Sequence, residues 1–208
     1  MLIVALTGGI ATGKSVVARL LKSRGCFIFE ADKIAHVLME PDQPAWHQIL
    51  KHFGPGILNA DRTIDRGRLG DIVFGDATER HALNNLIHPL VLEHQREIVL
   101  ALTKEGRTRI FVSEAALVYE VGFARHFDKV VVVWCQPRLQ LQRLMDRDNI
   151  GKDEALGKIQ SQMDQEEKKK MADYLIDTSG TMFDTAHLTE VVYKSLSRDY
   201  ELKTTRRG

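Results

Sequence analysis

An α/β fold, with helices covering a parallel sheet of about five strands, is what this sequence predicts, and three observations carry the prediction. Apolar runs recur as Leu2 to Leu6, Cys26 to Phe29, Arg109 to Ser113, Lys129 to Cys135 and Tyr174 to Ile176. Segments with apolar residues at helical spacing lie between them. The order strand, helix, strand calls for crossover connections, and crossovers make parallel neighbours.

Length and charge limit what such a fold can serve. The 208 residues suffice for one domain with a large core, decorated by insertions. Lys and Arg number 29 against 28 Asp and Glu, so no net field recommends nucleic acid or a membrane as a partner, and small, locally bound ligands are expected. Cys26 and Cys135 each sit in an apolar run and read as buried reduced thiols. Such thiols predict a cytosolic enzyme; the N-terminus lacks the order of a signal peptide, and Leu2 to Leu6 is too short to span a bilayer.

The first strand leads into Thr7-Gly8-Gly9-Ile10-Ala11-Thr12-Gly13-Lys14-Ser15. The spacing of Gly8, four residues, then Gly13-Lys14-Ser15 satisfies the phosphate-loop (P-loop) pattern, with the required strand before it and helix after it. Successive N–H groups of such a loop turn inward around a phosphate chain, and the helix that follows adds its positive end. Gly8, Gly9, Ile10, Ala11, Thr12, Gly13, Lys14, Ser15 and Val16 are therefore the candidate nucleotide-binding residues. Lys14 is expected to reach the β- and γ-phosphates and the Ser15 hydroxyl to ligate magnesium.

Val16, Val17, Leu20 and Leu21 form one face of the helix that Gly25 ends. The second strand is followed at once by Glu30-Ala31-Asp32 and a helical run from Lys33 to Met39. Ligands gather at the carboxyl ends of parallel strands, where both the loop and Asp32 fall. Asp32 reads either as the acid or base that accepts a proton from an attacking hydroxyl or as the N-cap of the helix after it.

From Pro41 to Ile87 the chain reads as a helical insertion, with pieces at Ala45 to Phe53 and Arg68 to Phe74 separated by Gly54-Pro55-Gly56. Arg62, Arg66 and Arg68 are candidates to hold an anionic acceptor or are surface arginines. His88-Pro89 is expected to interrupt the helix that begins near Glu79 and to start another, running to Lys104. His88 either contacts substrate or marks that corner. Glu114, at the carboxyl end of the third strand, is placed to hold the magnesium water shell or to cap a helix. Beyond Pro137, Arg143 and Arg147 lie one turn apart, able to converge on a polyphosphate or to pair with Asp146 and Asp148. Lys152 to Gln162 and Asp164 to Met171 read as charged helices, with Lys168-Lys169-Lys170 a solvated face. Leu188, Val191, Val192 and Leu196 belong to a closing helix, and the tail after Tyr200 is expected to fray.

With these residues in hand, the chain resembles the dephospho-CoA kinase family from Leu2 to Tyr200. The likeness is carried by Thr7-Gly8-Gly9-Ile10, Glu30-Ala31-Asp32, Ile64-Asp65-Arg66, His88-Pro89, Leu117-Val118-Tyr119-Glu120, Arg143-Leu144-Met145-Asp146-Arg147-Asp148, and Gln162-Met163 near Glu166-Glu167-Lys168. The resemblance implies an α/β P-loop NTPase core like that of the nucleoside monophosphate kinases, with a helical substrate-binding insertion and a helical lid. It implies a core of residues 1–35, 89–140 and 173–200, a substrate region at 36–88, a lid at 141–172 and a flexible tail at 201–208. The activity it implies is ATP-dependent phosphorylation of the ribose 3′-hydroxyl of dephospho-CoA, with Mg2+. By position, Asp32 matches the base, Lys14 and Ser15 the phosphate and magnesium groups, and Arg143 with Arg147 the lid arginines. Thr7, Asp32, Arg66, His88 and Glu114 are the candidate acceptor-binding residues. Two places depart from the pattern: Ala116-Leu117-Val118, and Asp177-Thr178 where an aspartate-asparagine pair is usual. Two other readings share the loop. One is a kinase acting on a nucleoside or nucleoside monophosphate; the other is a GTP-dependent switch, which would need an Asn-Lys-x-Asp motif that this chain lacks.

Overall fold

The computed structural model describes residues 1–205, apart from the Phe74 side chain. Its strands are β1 (Leu2–Thr7), β2 (Phe27–Glu30), β3 (Ile110–Glu114), β4 (Lys129–Trp134) and β5 (Tyr174–Asp177). Its α-helices are α1 (Lys14–Ser23), α2 (Ala31–Leu38), α3 (Pro44–Phe53), α4 (Arg66–Gly75), α5 (Ala77–Glu105), α6 (Pro137–Asp148), α7 (Lys152–Gln160), α8 (Gln165–Lys170) and α9 (Met182–Thr205). Two compact units divide the chain, one of residues 1–30 and 102–208, the other of residues 31–101.

In the first unit every strand pairing is parallel, in the order β2-β3-β1-β4-β5. Alternation along the strands assigns side chains to two faces. Leu2, Val4, Leu6, Val131 and Val133 join Val17, Leu21, Val192 and Leu196 in a core under α1 and α9. Ala5, Val130 and Val132 face the other way, against Val118, Tyr119 and Phe127. Both faces are covered, which is why β4 is apolar at every position from Val130 to Val133. Each fully buried valine or leucine contributes about 1.5–3 kcal/mol, enough to override the weak local preferences of these short strands. The sequence order reverses on either side of β1, so the loop after β1 opens at a topological switch point, where ligands of such sheets bind.

The second unit is helical. Ala45, Trp46 and Ile49 on α3 are buried together with Ile57 and Leu69. Leu58 and Ile64 form an isolated antiparallel bridge, and the Trp46 indole N–H donates to Arg62 O at 2.9 Å. The expectation that His88-Pro89 breaks the chain into two helices is overturned, because α5 runs through Pro89 unbroken. Pro89 forfeits one backbone hydrogen bond, but its ring lies on the exposed side while Ile87 and Val91 are buried one turn apart. The second unit ends at residue 101, within α5. The closing helix extends to Thr205, beyond the point where fraying was expected; residues 206–208 of that tail lie outside the described residues. Among the described residues no helix is long and apolar enough to cross a membrane.

Candidate active site

The loop between β1 and α1 is built by close approach. A Cβ on Gly8, whose φ is +150°, would stand 2.2 Å from Val133 O, so the loop crosses β4 where only glycine passes. Ala11 takes φ +60°, a left-handed conformation that costs about 1 kcal/mol and that the surrounding contacts must hold. The Thr12 hydroxyl donates to Gly9 O at 2.9 Å, and the Thr178 hydroxyl, from the turn after β5, donates to Thr12 O at 2.7 Å. Lys14 Nζ donates to Gly8 O and to Gly9 O, each at 2.9 Å. Ser15 is exposed at the start of α1, and its hydroxyl donates to Glu114 Oε1 at 3.1 Å. Parallel register sets Leu6 of β1 beside Glu114 of β3, which carries that carboxylate to the loop.

Carboxamides from α6 and α8 and the segment before α8 meet the first half of the loop. Gly9 N–H donates to Gln165 Oε1 at 3.3 Å, Ile10 N–H donates to Gln162 Oε1 at 2.7 Å, and Gln140 Nε2 donates to Ile10 O at 2.9 Å. Neither Gln140 nor Gln165 carries a hydropathy signal, and Gln162 entered only as one letter of a family motif. Nothing in periodicity marks a glutamine whose partner is a backbone group more than a hundred residues away.

The lysine run is corrected most sharply. Lys168 is fully buried, with its ammonium 2.7 Å from Glu120 Oε1 and donating to Ala116 O at 2.9 Å. Glu120 Oε1 also accepts from Met163 N–H at 3.0 Å. Only Lys169 and Lys170 are the solvated residues expected of all three, ion-paired with Glu166 and Glu167. Thr7 is buried as well, its hydroxyl donating to the same Ala116 O at 3.2 Å; it braces the end of β1.

Arg143 and Arg147 do not converge. Arg143 donates through Nη1 to the Thr178 hydroxyl at 3.0 Å and through Nη2 to Thr178 O at 2.8 Å. Arg147 pairs with its neighbour Asp148 at 2.7 Å, and Lys158 of α7 shares that carboxylate. Asp146 accepts from the Gln142 amide. The turn where the resemblance expects asparagine thus has a threonine whose single hydroxyl joins the loop to the arginine.

In the second unit the arginines separate by role. Arg62 pairs with Asp42 and lies over the Trp46 ring, 5.1 Å from its centroid. Arg68 donates to Gly56 O and Leu58 O and pairs with Asp65, whose carboxylate caps α4. Both hold the unit's own chain in place. Arg66 is exposed and lines a cleft of about 610 Å³ with His36, Met39, Asn59, Thr63 and Ile87. Asp32 sits in the first turn of α2, one residue past its start, so it is not the N-cap. Asp32 and Arg66 both act on His36: burial and then the Arg66 charge lower that imidazole's pKa, while the Asp32 charge raises it. His88 lies at mid-helix in α5, half-buried, with its pKa lowered by burial.

Comparison with known proteins identifies what carries this arrangement. The sequence model of the family described as dephospho-CoA kinase matches residues 2–184. A dephospho-CoA kinase of Syntrophus aciditrophicus is 38% identical over 203 residues, covering 98% of this chain and 86% of that one. One from Bacillus licheniformis is 42% identical over 188 residues, 88% of this chain and 91% of its own. Among solved structures, the dephospho-CoA kinase of Campylobacter jejuni superposes with a TM-score of 0.67 at 31% identity, covering 95% of this chain and 98% of that one. A protein from Thermus thermophilus superposes with a TM-score of 0.77 at 27% identity, over 94% of this chain and 97% of its own. A phosphate loop at the switch point of a parallel sheet, matched along nearly the whole chain at these identities, places this protein in the dephospho-CoA kinase family.

Proposed function

We propose that this protein transfers the γ-phosphoryl group of ATP to the ribose 3′-hydroxyl of dephospho-CoA, releasing ADP and coenzyme A, the last step of coenzyme A synthesis. The observation that carries the reading is the family match from residue 2 to residue 184, which spans the loop and the helical unit together. The geometry supports it in kind. Phosphoryl transfer asks a protein for positioned positive charge around the phosphates and an oriented hydroxyl, with little covalent chemistry of its own.

The loop amides beyond Ile10, together with Lys14, hold the phosphates, since the Gly9 and Ile10 N–H groups are taken by Gln165 and Gln162; the ammonium offsets charge that gathers as the bond from Pγ to the bridging oxygen breaks. The hard oxygen donors Ser15 Oγ and Glu114, 3.1 Å apart, fit a Mg2+ that keeps several waters and binds phosphate oxygens. That ion, when bound, neutralises phosphate charge. Asp32 accepts the proton of the ribose 3′-hydroxyl as its oxygen bonds to Pγ, so that an alkoxide need not form in advance. Arg66 and the cleft it lines receive the acceptor, the guanidinium taking an anionic group. Arg143 and Arg147 serve the lid, residues 141–172, once they leave the partners described above. The balanced charge supports no nucleic-acid partner, and the two buried free thiols suit a cytoplasmic setting.

A coupled assay of ADP release with dephospho-CoA, CMP, AMP and uridine in parallel tests the activity. Turnover of dephospho-CoA alone is expected; turnover of a nucleoside or nucleotide without it would replace this reading by another small-molecule kinase. Asp32→Asn is expected to lower kcat about 10²–10⁴-fold with ATP affinity within about twofold of wild type. An unchanged kcat would remove Asp32 from the chemistry.

A further inference from the structure

The two peptide units that hold Lys14 are each gripped at their opposite end by a glutamine. A trans peptide points its C=O and its N–H in opposite directions, and no peptide bond among the described residues is cis. The peptide joining Gly8 to Gly9 presents Gly8 O to Lys14 Nζ at 2.9 Å and the Gly9 N–H to Gln165 Oε1 at 3.3 Å. The next peptide presents Gly9 O to Lys14 Nζ at 2.9 Å and the Ile10 N–H to Gln162 Oε1 at 2.7 Å. Gly9 O accepts from the Thr12 hydroxyl as well, so its direction also sets the second half of the loop. The carboxamides crowd this point: a Cβ on Gly9 would meet Gln165 Nε2 at 2.7 Å and Gln140 Nε2 at 2.8 Å.

We infer that Gln162 and Gln165 are positioning residues for Lys14, acting through the planes of these two peptides, with Gln140 holding the following peptide by its carbonyl. A plane held by only one end turns about the backbone bonds on either side of it. Held by both ends, it fixes the direction in which the lysine is drawn, and a chain of hydrogen bonds from carboxamide through peptide to ammonium strengthens each member. Gln165 is nine-tenths buried, and Gln162 lies beside Met163, whose N–H is fixed by Glu120, so both glutamines are themselves held. The segment between α7 and α8 and the start of α8 therefore carry a device that sets the geometry of the phosphate site from outside it.

The inference rests on the reading that Lys14 serves ATP, and its test separates the two. Gln162→Met keeps length and removes the acceptor; Gln162→Glu keeps an acceptor for the Ile10 N–H. Gln162→Met is expected to raise KM for ATP, and the Kd for ADP by calorimetry, about tenfold while KM for dephospho-CoA stays within twofold and the thermal midpoint within about 3 °C. The Ile10 amide resonance is expected to move in Gln162→Met and to return toward its wild-type position in Gln162→Glu, with KM for ATP recovering to within about threefold. Gln165→Met is expected to repeat the pattern through Gly9. A KM for ATP within twofold of wild type in both Met variants would overturn the inference, as would an equal loss toward both substrates accompanied by a lower thermal midpoint. If wild-type protein fails to phosphorylate dephospho-CoA, the activity reading falls, while the ADP Kd and the Ile10 resonance still decide the role of the glutamines.

Discussion

Lys168→Met replaces a buried ammonium by an apolar chain of similar length, and its cost follows from what is left behind. The substitution removes the partner 2.7 Å from Glu120 Oε1 and the donor 2.9 Å from Ala116 O. Glu120, whose side chain is only 19% exposed, keeps the Met163 N–H and a second oxygen, Oε2, that is buried without a hydrogen bond. Breaking one side of such a pair costs about 3–5 kcal/mol, because a charge stays buried and uncompensated. At roughly 2–4 °C per kcal/mol for a chain of this size, the thermal midpoint falls by about 6–20 °C. Removing both charges with Lys168→Met and Glu120→Leu should return most of that, leaving about 1–2 kcal/mol for the orphaned Met163 N–H, while Ala116 O keeps the Thr7 hydroxyl. Lys169→Met and Lys170→Met are the controls: their side chains are 39% and 69% exposed, solvent screens their ion pairs, and each should leave the urea midpoint close to that of wild type. Urea midpoints of the four variants decide the matter. If Lys168→Met costs no more than Lys170→Met, the buried pair does not hold α8 in place and the reasoning fails.

Two further predictions concern the turn after β5 and α5. Thr178→Val keeps shape at a site 3% exposed but removes the hydroxyl that serves both Thr12 O and Arg143; it should cost about 1–3 kcal/mol and raise KM for ATP, read by urea denaturation and steady-state kinetics. Burial lowers the His88 pKa below its ordinary 6.5, so the unfolded chain binds the proton more readily; the stability from a neutral His88 is present above pH 6.5 and is lost as pH falls through the folded value. His88→Gln should flatten the fall in urea midpoint between about pH 7 and pH 5, and an unaltered slope would show that other groups govern it.

What was legible in the chain divides by the range of the interaction that decides each feature. The strands were readable because a sheet covered on both faces demands apolar residues at consecutive positions, and Val130 to Val133 satisfy that demand locally. The phosphate loop was readable because close approach to β4 admits glycine at Gly8 and at no cost only glycine. Pro89 misled because a proline's penalty is local and fixed, whereas the burial of Ile87 and Val91 that outweighs it depends on the packing of the unit. The three lysines are alike as sequence. Lys168 differs from Lys170 only because Glu120, 48 residues earlier, meets it, and no window of the chain contains both.

The same contrast explains why the candidate site was half visible. Residues that touch a phosphate are constrained by the ligand's geometry, which does not change from protein to protein, so their spacing becomes a motif. Residues that hold those residues are constrained only to bring one hydrogen-bond partner to one place, and many side chains on many elements meet that requirement. Thr178 illustrates it: a hydroxyl donating to Thr12 O and accepting from Arg143 stands where the family pattern has a carboxamide, and both groups offer a donor and an acceptor. A departure from the pattern there preserves the pair of bonds the turn must make, whereas a departure at Gly8 would drive a Cβ into Val133 O. Tolerance at a position of this site is therefore set by how many side chains satisfy its partners, and it is lowest where the partner is another stretch of backbone.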